Sequence, residues 1–155
     1  MSTFPGSVPR PGKVLIQTAH PNNEYLQYIK SQDFWRYSHH CLKERREAQF
    51  PPFSHIALWR AGSAKNGEAL AFLQSVARAA EKVQNRDGLE WVTIMDVVHS
   101  PMEKLAGRYR AQLMLKSQKR KPLHMVLNGV LEVLEHTKQA SRVRWSIDVD
   151  PMEMF

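Results

Sequence analysis

The sequence predicts an α+β domain built on an antiparallel sheet, and three observations support this prediction. Two consecutive prolines, Pro51 and Pro52, end a charged helical stretch, because proline cannot extend a helix. After them the hydrophobic period changes from helical to alternating. The remaining segments follow in the order strand, helix, strand, strand, helix, strand. At 155 residues, the chain has room for one such domain with an attached segment.

The segment before the prolines is expected to be partly irregular. Residues 1–12 are rich in proline, glycine and serine, which predicts disorder. The apolar run Lys13–Ala19 predicts a short strand. Asn22 or Asn23 is expected to cap a short helix that ends at Lys30.

A second, linking helix should follow and lead to the prolines. Ser31 is expected to cap it, and Phe34 lies in its first turn. It must end at or before Phe50, because a residue that precedes a proline avoids the helical conformation. Phe50 and Phe53 flank the prolines, and we expect them to pack this junction.

Four strands and two helices make up the rest of the prediction. The strands alternate apolar and polar residues or are rich in β-branched residues, and the helices carry apolar stripes of helical period. The predicted strands are Ser54–Gly62, Leu89–Met102, Arg108–Ser117 and Ser141–Pro151. The first predicted helix is Asn66–Gly88, and its apolar stripe consists of Leu70, Leu73, Val76, Ala77, Ala80 and Val83. The second helix starts near Pro122, and its apolar stripe consists of Leu123, Val126, Leu127, Val130, Leu131 and Leu134.

The most economical arrangement of this order is the ferredoxin-like βαββαβ fold. Each strand–helix–strand half needs a crossover connection, and such crossovers are right-handed. The result is a four-stranded antiparallel sheet with both helices on one face. The other face should be solvated, or covered by the preceding helices or by a partner. Trp59, Trp91 and Trp145 lie within strands, so most of them should be core, although an exposed ring could stack on a nucleobase.

The composition favours a polyanionic partner. The formal net charge is +7 and the isoelectric point is near 9.8, which points first to nucleic acid and second to an anionic membrane or an acidic peptide. The single cysteine, Cys41, excludes an internal disulfide and fits a reducing compartment. No apolar run is long enough to span a bilayer, and the first twelve residues do not resemble a signal peptide. We therefore expect a cytoplasmic protein without membrane attachment.

No motif of catalysis is present. The sequence contains no phosphate-binding loop, no nucleophile elbow and no zinc-protease motif, so no catalytic residue is predicted. The run Ser38–Cys41 invites a metal interpretation, but consecutive residues of a helix point about 100° apart. His39, His40 and Cys41 therefore cannot converge on one ion, and no metal site is predicted.

The strongest charge signal is the run Lys104–Lys121, which contains no acidic residue. Part of it lies on the outward side of a strand, and Lys119, Arg120 and Lys121 lead into a helix N-terminus, which favours anions. A phosphate backbone or an acidic peptide would fit there, and a merely solvated basic surface is the alternative. The candidate nucleic-acid contacts are Lys104, Arg108, Arg110, Lys116 and Lys119, with Arg142 and Arg144 from the last strand.

Four stretches taken together resemble the C-terminal part of the replication-restart helicases of the PriA family, also called primosomal protein N′. The resemblance runs in order from about Pro11 to Pro151. The stretches include Pro-Pro-Phe, Gly-Arg-Tyr-Arg and Asp-Val-Asp-Pro motifs; they are PGKVLIQTAHPNNEYLQ, KERREAQFPPFSHIALWRA, GRYRAQLMLKSQKRKPLHMVL and RVRWSIDVDP.

The resemblance implies a division of the chain. Residues 13–50 would be a remnant of the second helicase lobe and a linking helix, and residues 51–155 would be the C-terminal domain. That domain is similar in fold to a small-subunit ribosomal protein. The family unwinds DNA in the 3′-5′ direction with ATP, binds branched or single-stranded DNA at stalled replication forks, and acts with other primosome proteins.

The resemblance also implies a protein partner. The C-terminal domain of the family helps to hold the acidic tail of single-stranded DNA-binding protein. Arg120, one turn before His124, matches the tail-binding position, and Lys121 adjoins it. The family can carry glutamine where this chain has His124.

Most of the family's machinery is not in this sequence. The full-length family uses ATP, magnesium and zinc, but their binding motifs are absent here, so we expect no cofactor and no ATP hydrolysis by this chain. Two alternatives stay open. The chain could be an RNA-binding module similar to a ribosomal protein, or a non-functional remnant of a split helicase gene.

Overall fold

The computed structural model describes residues 14–135, 137 and 140–152. The predicted disorder of residues 1–12 lies outside these ranges. The chain divides between His40 and Cys41 into two compact units, and this boundary falls within the second helix. No helix in the described ranges has the length and apolar character required to cross a bilayer.

The first unit contains helix α1, Glu24–Ser31, and the start of helix α2, Phe34–Glu47. Of the two predicted caps, Asn23 is the one that caps α1, since its side chain accepts a hydrogen bond from the Tyr25 N–H at 2.9 Å. The predicted end of α2 before Phe50 is also confirmed.

Two predictions for this unit are wrong. Asp33, and not Ser31, caps α2, because the Asp33 carboxylate accepts a hydrogen bond from the Arg36 N–H at 3.0 Å. Ser31 is the last residue of α1. The strand predicted at Lys13–Ala19 is not formed by its described residues, 14–19. A strand needs a neighbour to pair its backbone, and no described segment pairs with this one.

The second unit contains the predicted βαββαβ order, with one strand in two pieces. Its elements are β1 His55–Ser63, α3 Glu68–Asp87, β2 Val92–Ile94, β3 Val98–Leu105, β4 Arg108–Ser117, α4 Arg120–Glu135 and β5 Arg144–Val149. Strand β1 lies between β4 and β5, and both β2 and β3 pair with the other edge of β4. All pairs are antiparallel. This is the ferredoxin-like strand order, so the predicted fold is confirmed.

A β-bulge divides the strand that was predicted as one segment at Leu89–Met102. Ile94 pairs with Leu115 and Val98 pairs with Gln112. The chain advances four residues from Ile94 to Val98 but only three along β4, so the first of these segments contains one extra residue. Such an extra residue interrupts the ladder and moves the following side chains to the other face. A continuous apolar run does not reveal this shift, because its two faces look alike.

Helices α3 and α4 cover one face of the sheet and form the core with it. Trp59, Leu113 and Leu115 are fully buried on this face. The predicted α4 stripe is confirmed. In α3 the buried face is rotated slightly from the predicted stripe, so that Phe72 is buried and Leu70 only partly so.

The tryptophans divide into two groups. Trp59 is fully buried and Trp145 packs against it with ring centroids 5.5 Å apart, as predicted. Trp91, however, is 64% exposed. It precedes β2, so the alternation of the following strand does not place its ring in the core.

The junction between α2 and β1 is anchored by aromatic and polar contacts. Phe50 and Phe53 are half-buried. The guanidinium of Arg46 lies 4.7 Å from the centre of the Phe53 ring, and the Ser54 hydroxyl donates a hydrogen bond to the Gln49 carbonyl at 2.6 Å. These contacts fit the prediction that the two phenylalanines pack the junction.

Candidate nucleic-acid interface

A groove lined by arginines crosses the sheet face opposite α3 and α4. We call it the arginine groove; its charged residues are Arg60, Arg108, Arg110 and Arg144. Its volume is about 420 Å³. The face follows from alternation, because Arg60 and Arg110 have the opposite orientation to the buried Trp59 and Ala111 beside them.

Gly62 forms the floor of the arginine groove. It pairs with Arg110 on β4 and with Arg144 on β5, so the three residues lie side by side on one face. Neighbouring strands lie about 4.8 Å apart, which places the two arginine backbones about 10 Å from each other. Glycine has no side chain to fill the gap. The register of three strands thus produces a cleft with a guanidinium on each side.

The charges in the arginine groove are only partly neutralised. Arg60 forms an ion pair with Asp148 at 3.2 Å. Within the described ranges, Arg108, Arg110 and Arg144 form no ion pair with a carboxylate. Arg108 and Arg144 are exposed and Arg110 is half-buried. A groove with three uncompensated guanidinium groups has the geometry and charge to bind phosphate oxygens.

Three of the four arginines were thus predicted from the sequence, and Arg60 was not. Its signal was present, because strand alternation places Arg60 on the side opposite Trp59. What was missing was the position of β1 between β4 and β5, which brings Arg60 beside Arg110 and Arg144.

The other predicted nucleic-acid contacts lie elsewhere. Lys104 pairs with Tyr109 on the helix-covered side of the sheet, and its ammonium lies 4.8 Å from the centre of the Tyr109 ring. Lys116 is on the side of the arginine groove but six residues further along β4. Its ammonium donates a hydrogen bond to the Ala48 carbonyl at 3.3 Å and lies over Phe50, so it belongs to the junction.

Arg142 and Lys119 also lie outside the arginine groove. Arg142 is exposed in the turn before β5, two residues from Arg144. Lys119 precedes α4, and its ammonium lies 5.5 Å from the centre of the Trp91 ring.

The second basic site is the α4 corner, which consists of Lys119, Arg120, Lys121 and His124. Arg120 begins α4, and its Nε donates a hydrogen bond to Nε2 of His124 at 3.3 Å. Two of the three residues predicted to bind a protein tail, Arg120 and His124, are therefore in direct contact. Lys121 is exposed beside them.

Asp150 ties the end of β5 to the start of β1 and attracts Arg120 of the α4 corner; it was not predicted from the sequence. Its Oδ1 accepts a hydrogen bond from the Ile56 N–H at 3.0 Å, and its Oδ2 lies 3.1 Å from Nδ1 of His55. Partial burial would raise the pKa of the Asp150 carboxyl, but the hydrogen bonds from Ile56 and His55, with the attraction of His55 and Arg120, outweigh this and lower the pKa.

The described residues bring together no cluster of three or more histidine, cysteine, aspartate or glutamate side chains that fits a metal ion. The basic sites above are built from cations, whose chemistry suits anions and not metals. Binding of an anionic polymer or peptide is the chemistry that this arrangement supports.

Comparison with known proteins identifies the family. The family model of the primosomal protein N C-terminal domain matches residues 46–152. The chain is 27% identical over 146 residues to the replication restart protein PriA of Bacillus subtilis, which covers 94% of this chain and 18% of that protein. It is 28% identical over 144 residues to the PriA of Rickettsia conorii, covering 93% of this chain and 21% of that protein.

The chain spans about a fifth of the length of these curated relatives. Among solved structures, it is similar to a dimeric ferredoxin-like protein from an uncultured marine organism, with 7% identity and a TM-score of 0.48 over 62% of this chain and 92% of that one. The match to the family model covers both the arginine groove and the α4 corner. The chain belongs to the family of primosomal protein N C-terminal domains.

Proposed function

We propose that this chain is the DNA- and partner-binding C-terminal module of a primosomal replication-restart helicase. The observation that carries the proposal is the position of Gly62 between Arg110 and Arg144, which opens a cleft with guanidinium groups on both sides. The module binds the phosphate backbone of branched or single-stranded DNA there. It adds binding and no ATP hydrolysis, and it works beside other primosome proteins in the cytoplasm.

The charge distribution supports backbone binding in particular. Arginine is suited to bidentate contacts with phosphate, and contacts to phosphate position a protein without reading sequence. A fork is defined by the arrangement of its arms and not by its base sequence. A backbone-binding groove on a rigid sheet is therefore appropriate for recognising fork structure.

The α4 corner is proposed to bind the acidic tail of single-stranded DNA-binding protein. Arg120 offers a guanidinium to a tail carboxylate, with His124 as its neighbour and Lys121 as a further cation. Asp150 also attracts Arg120, so the tail competes with an internal carboxylate. The expected binding is consequently of moderate strength and sensitive to salt.

The DNA proposal is tested by fluorescence anisotropy with a labelled fork at low salt. We expect the double variant Arg110→Ala/Arg144→Ala to weaken binding about 100-fold or more, because each of the two lost hydrogen bonds to a charged group contributes about 1.5 kcal/mol or more. Arg78→Ala is the matched control, since Arg78 is an exposed arginine on α3. Absence of fork binding by the unmodified chain, or an equal loss in the control, would refute the proposal.

Two further titrations complete the test. Structured RNA that competes as well as the fork would favour the RNA-binding alternative. For the tail site, a labelled acidic tail peptide should bind the unmodified chain more tightly than Arg120→Ala. An unchanged peptide affinity in that variant would assign the tail to another surface.

A further inference from the structure

Trp91 is an exposed ring in a domain whose other tryptophans are packed. Among the described residues from Cys41 onward, it is the one large aromatic side chain with more than half of its surface exposed, at 64%. Burial of an aromatic ring is one of the larger favourable contributions to folding. Most of the Trp91 side chain makes no such contribution, so much of its ring is available for a ligand.

The surroundings of Trp91 are cationic and partly enclosed. The Lys119 ammonium lies over the ring, and Lys116 lines the adjoining cavity with Ser117 and Thr93. The cavity measures about 190 Å³. Pockets for drug-sized molecules begin at about 300 Å³, so this one suits a single ring system. Glu90 is the one acidic residue in its lining.

We propose that Trp91 stacks on an unpaired nucleobase while Lys119 contacts the adjacent phosphate. A nucleotide combines a flat π system with an anion, and this site combines an exposed indole with the ammonium group of Lys119. Stacking on an aromatic side chain tolerates every base, because each base has a π face. A base inside a duplex is already stacked on its neighbours, and therefore only a single-stranded region can use the ring.

This inference rests on the proposed DNA binding and assigns it a second contact of different chemistry. The arginine groove takes backbone phosphates, whether the DNA is paired or unpaired. The Trp91 site selects unpaired nucleotides. A fork presents both kinds of DNA next to each other, so a module with both sites distinguishes it from a plain duplex.

The test uses the full chain and three labelled probes: a single-stranded oligothymidine, an abasic strand with the same number of phosphates, and a blunt duplex. Trp91→Ala should weaken oligothymidine binding about fivefold to 100-fold and leave binding of the abasic strand and the duplex within twofold. Trp91→Phe should retain most of the oligothymidine affinity. Trp35→Ala is the matched control, because Trp35 is also an exposed tryptophan.

The outcomes separate this inference from the proposed function. If the chain binds none of the three probes at low salt, both are wrong. If it binds the duplex but Trp91→Ala binds oligothymidine as well as the unmodified chain does, only the stacking site is wrong. Equal losses on oligothymidine and on the abasic strand would also overturn it. If Trp91→Ala weakens binding of the labelled acidic tail peptide and leaves oligothymidine binding unchanged, the ring binds a peptide and not a nucleobase.

Discussion

Asp150 binds the backbone of Ile56 in both directions. The Asp150 N–H donates to the Ile56 carbonyl at 2.7 Å, and the Asp150 carboxylate accepts from the Ile56 N–H at 3.0 Å. Asp150 has a positive φ of 52°, a conformation that aspartate tolerates better than most residues. The second aspartate of the Asp-Val-Asp-Pro motif thereby fastens the end of β5 to the start of β1.

The first prediction concerns the pH dependence of this contact. Because the pKa of Asp150 is lowered in the folded chain, its carboxylate stabilises the fold above the ordinary aspartate pKa of about 3.9, and this stabilisation is lost as the pH falls through the lowered value. Asp150→Asn should be less stable than the unmodified chain at pH 7, and the difference should shrink towards pH 3. Urea unfolding of the two chains between pH 7 and pH 3 measures the difference in stability and its decrease.

Asp150→Asn removes the charge and keeps the size of the side chain, so the difference between the two chains isolates one carboxyl group. Asp96→Asn is a suitable control, since Asp96 lies between β2 and β3. A difference in free energy of unfolding that stays constant from pH 7 to pH 3 would contradict the assigned role of the carboxylate.

The sequence predicted elements whose burial follows a simple period. The α4 stripe and the alternation of β4 and β5 agree with the structure, because periodicity directly reports which side of an element is apolar. The bulge between Ile94 and Val98 does not show in the hydrophobic period of the sequence. It depends on how β4 is paired, which is a property of two strands together.

Prediction of the candidate sites depended even more on how the strands pair. Arg110 and Arg144 were recognised as cations, yet nothing within either strand shows that Gly62 separates them. Lys116 appeared equivalent to them by charge and alternation, but the Ala48 carbonyl and the Phe50 ring occupy its ammonium. Charge and period identify candidates, and the tertiary register decides which of them share a site.

The second prediction tests the floor of the arginine groove without changing its charge. A Cβ at Gly62 would meet its nearest atoms at 3.8 and 4.0 Å, which are ordinary contacts. Gly62→Val should therefore fold, but its methyl groups should fill the space between Arg110 and Arg144. We expect fork affinity to fall about tenfold, or about 1.4 kcal/mol, as measured by anisotropy. Unchanged affinity with an unchanged melting temperature would show that DNA does not enter this cleft.

The third prediction concerns salt. Binding to phosphates releases counterions, so the logarithm of the binding constant falls linearly with the logarithm of the salt concentration, by about 0.9 for each contact. Removal of Arg110 and Arg144 together should reduce the slope by about 2. Lys116→Ala should leave it nearly unchanged, because that ammonium is bound within the protein. If Lys116→Ala reduces this slope by a similar amount, Lys116 contacts the DNA.

The fourth prediction concerns the close approach of α3 and α4 at Gly129. A Cβ on this residue would lie 2.8 Å from Cγ1 and 3.0 Å from Cγ2 of Val83, so the helices or the valine must shift. Such overpacking typically costs about 1–3 kcal/mol, and Gly129→Ala should lower the free energy of unfolding by that amount. Val83→Ala removes both methyl groups, so the double variant should be more stable than the sum of the two single effects predicts. A double-mutant cycle by urea unfolding measures this coupling, and simple additivity would show that the two residues do not compete for the same space.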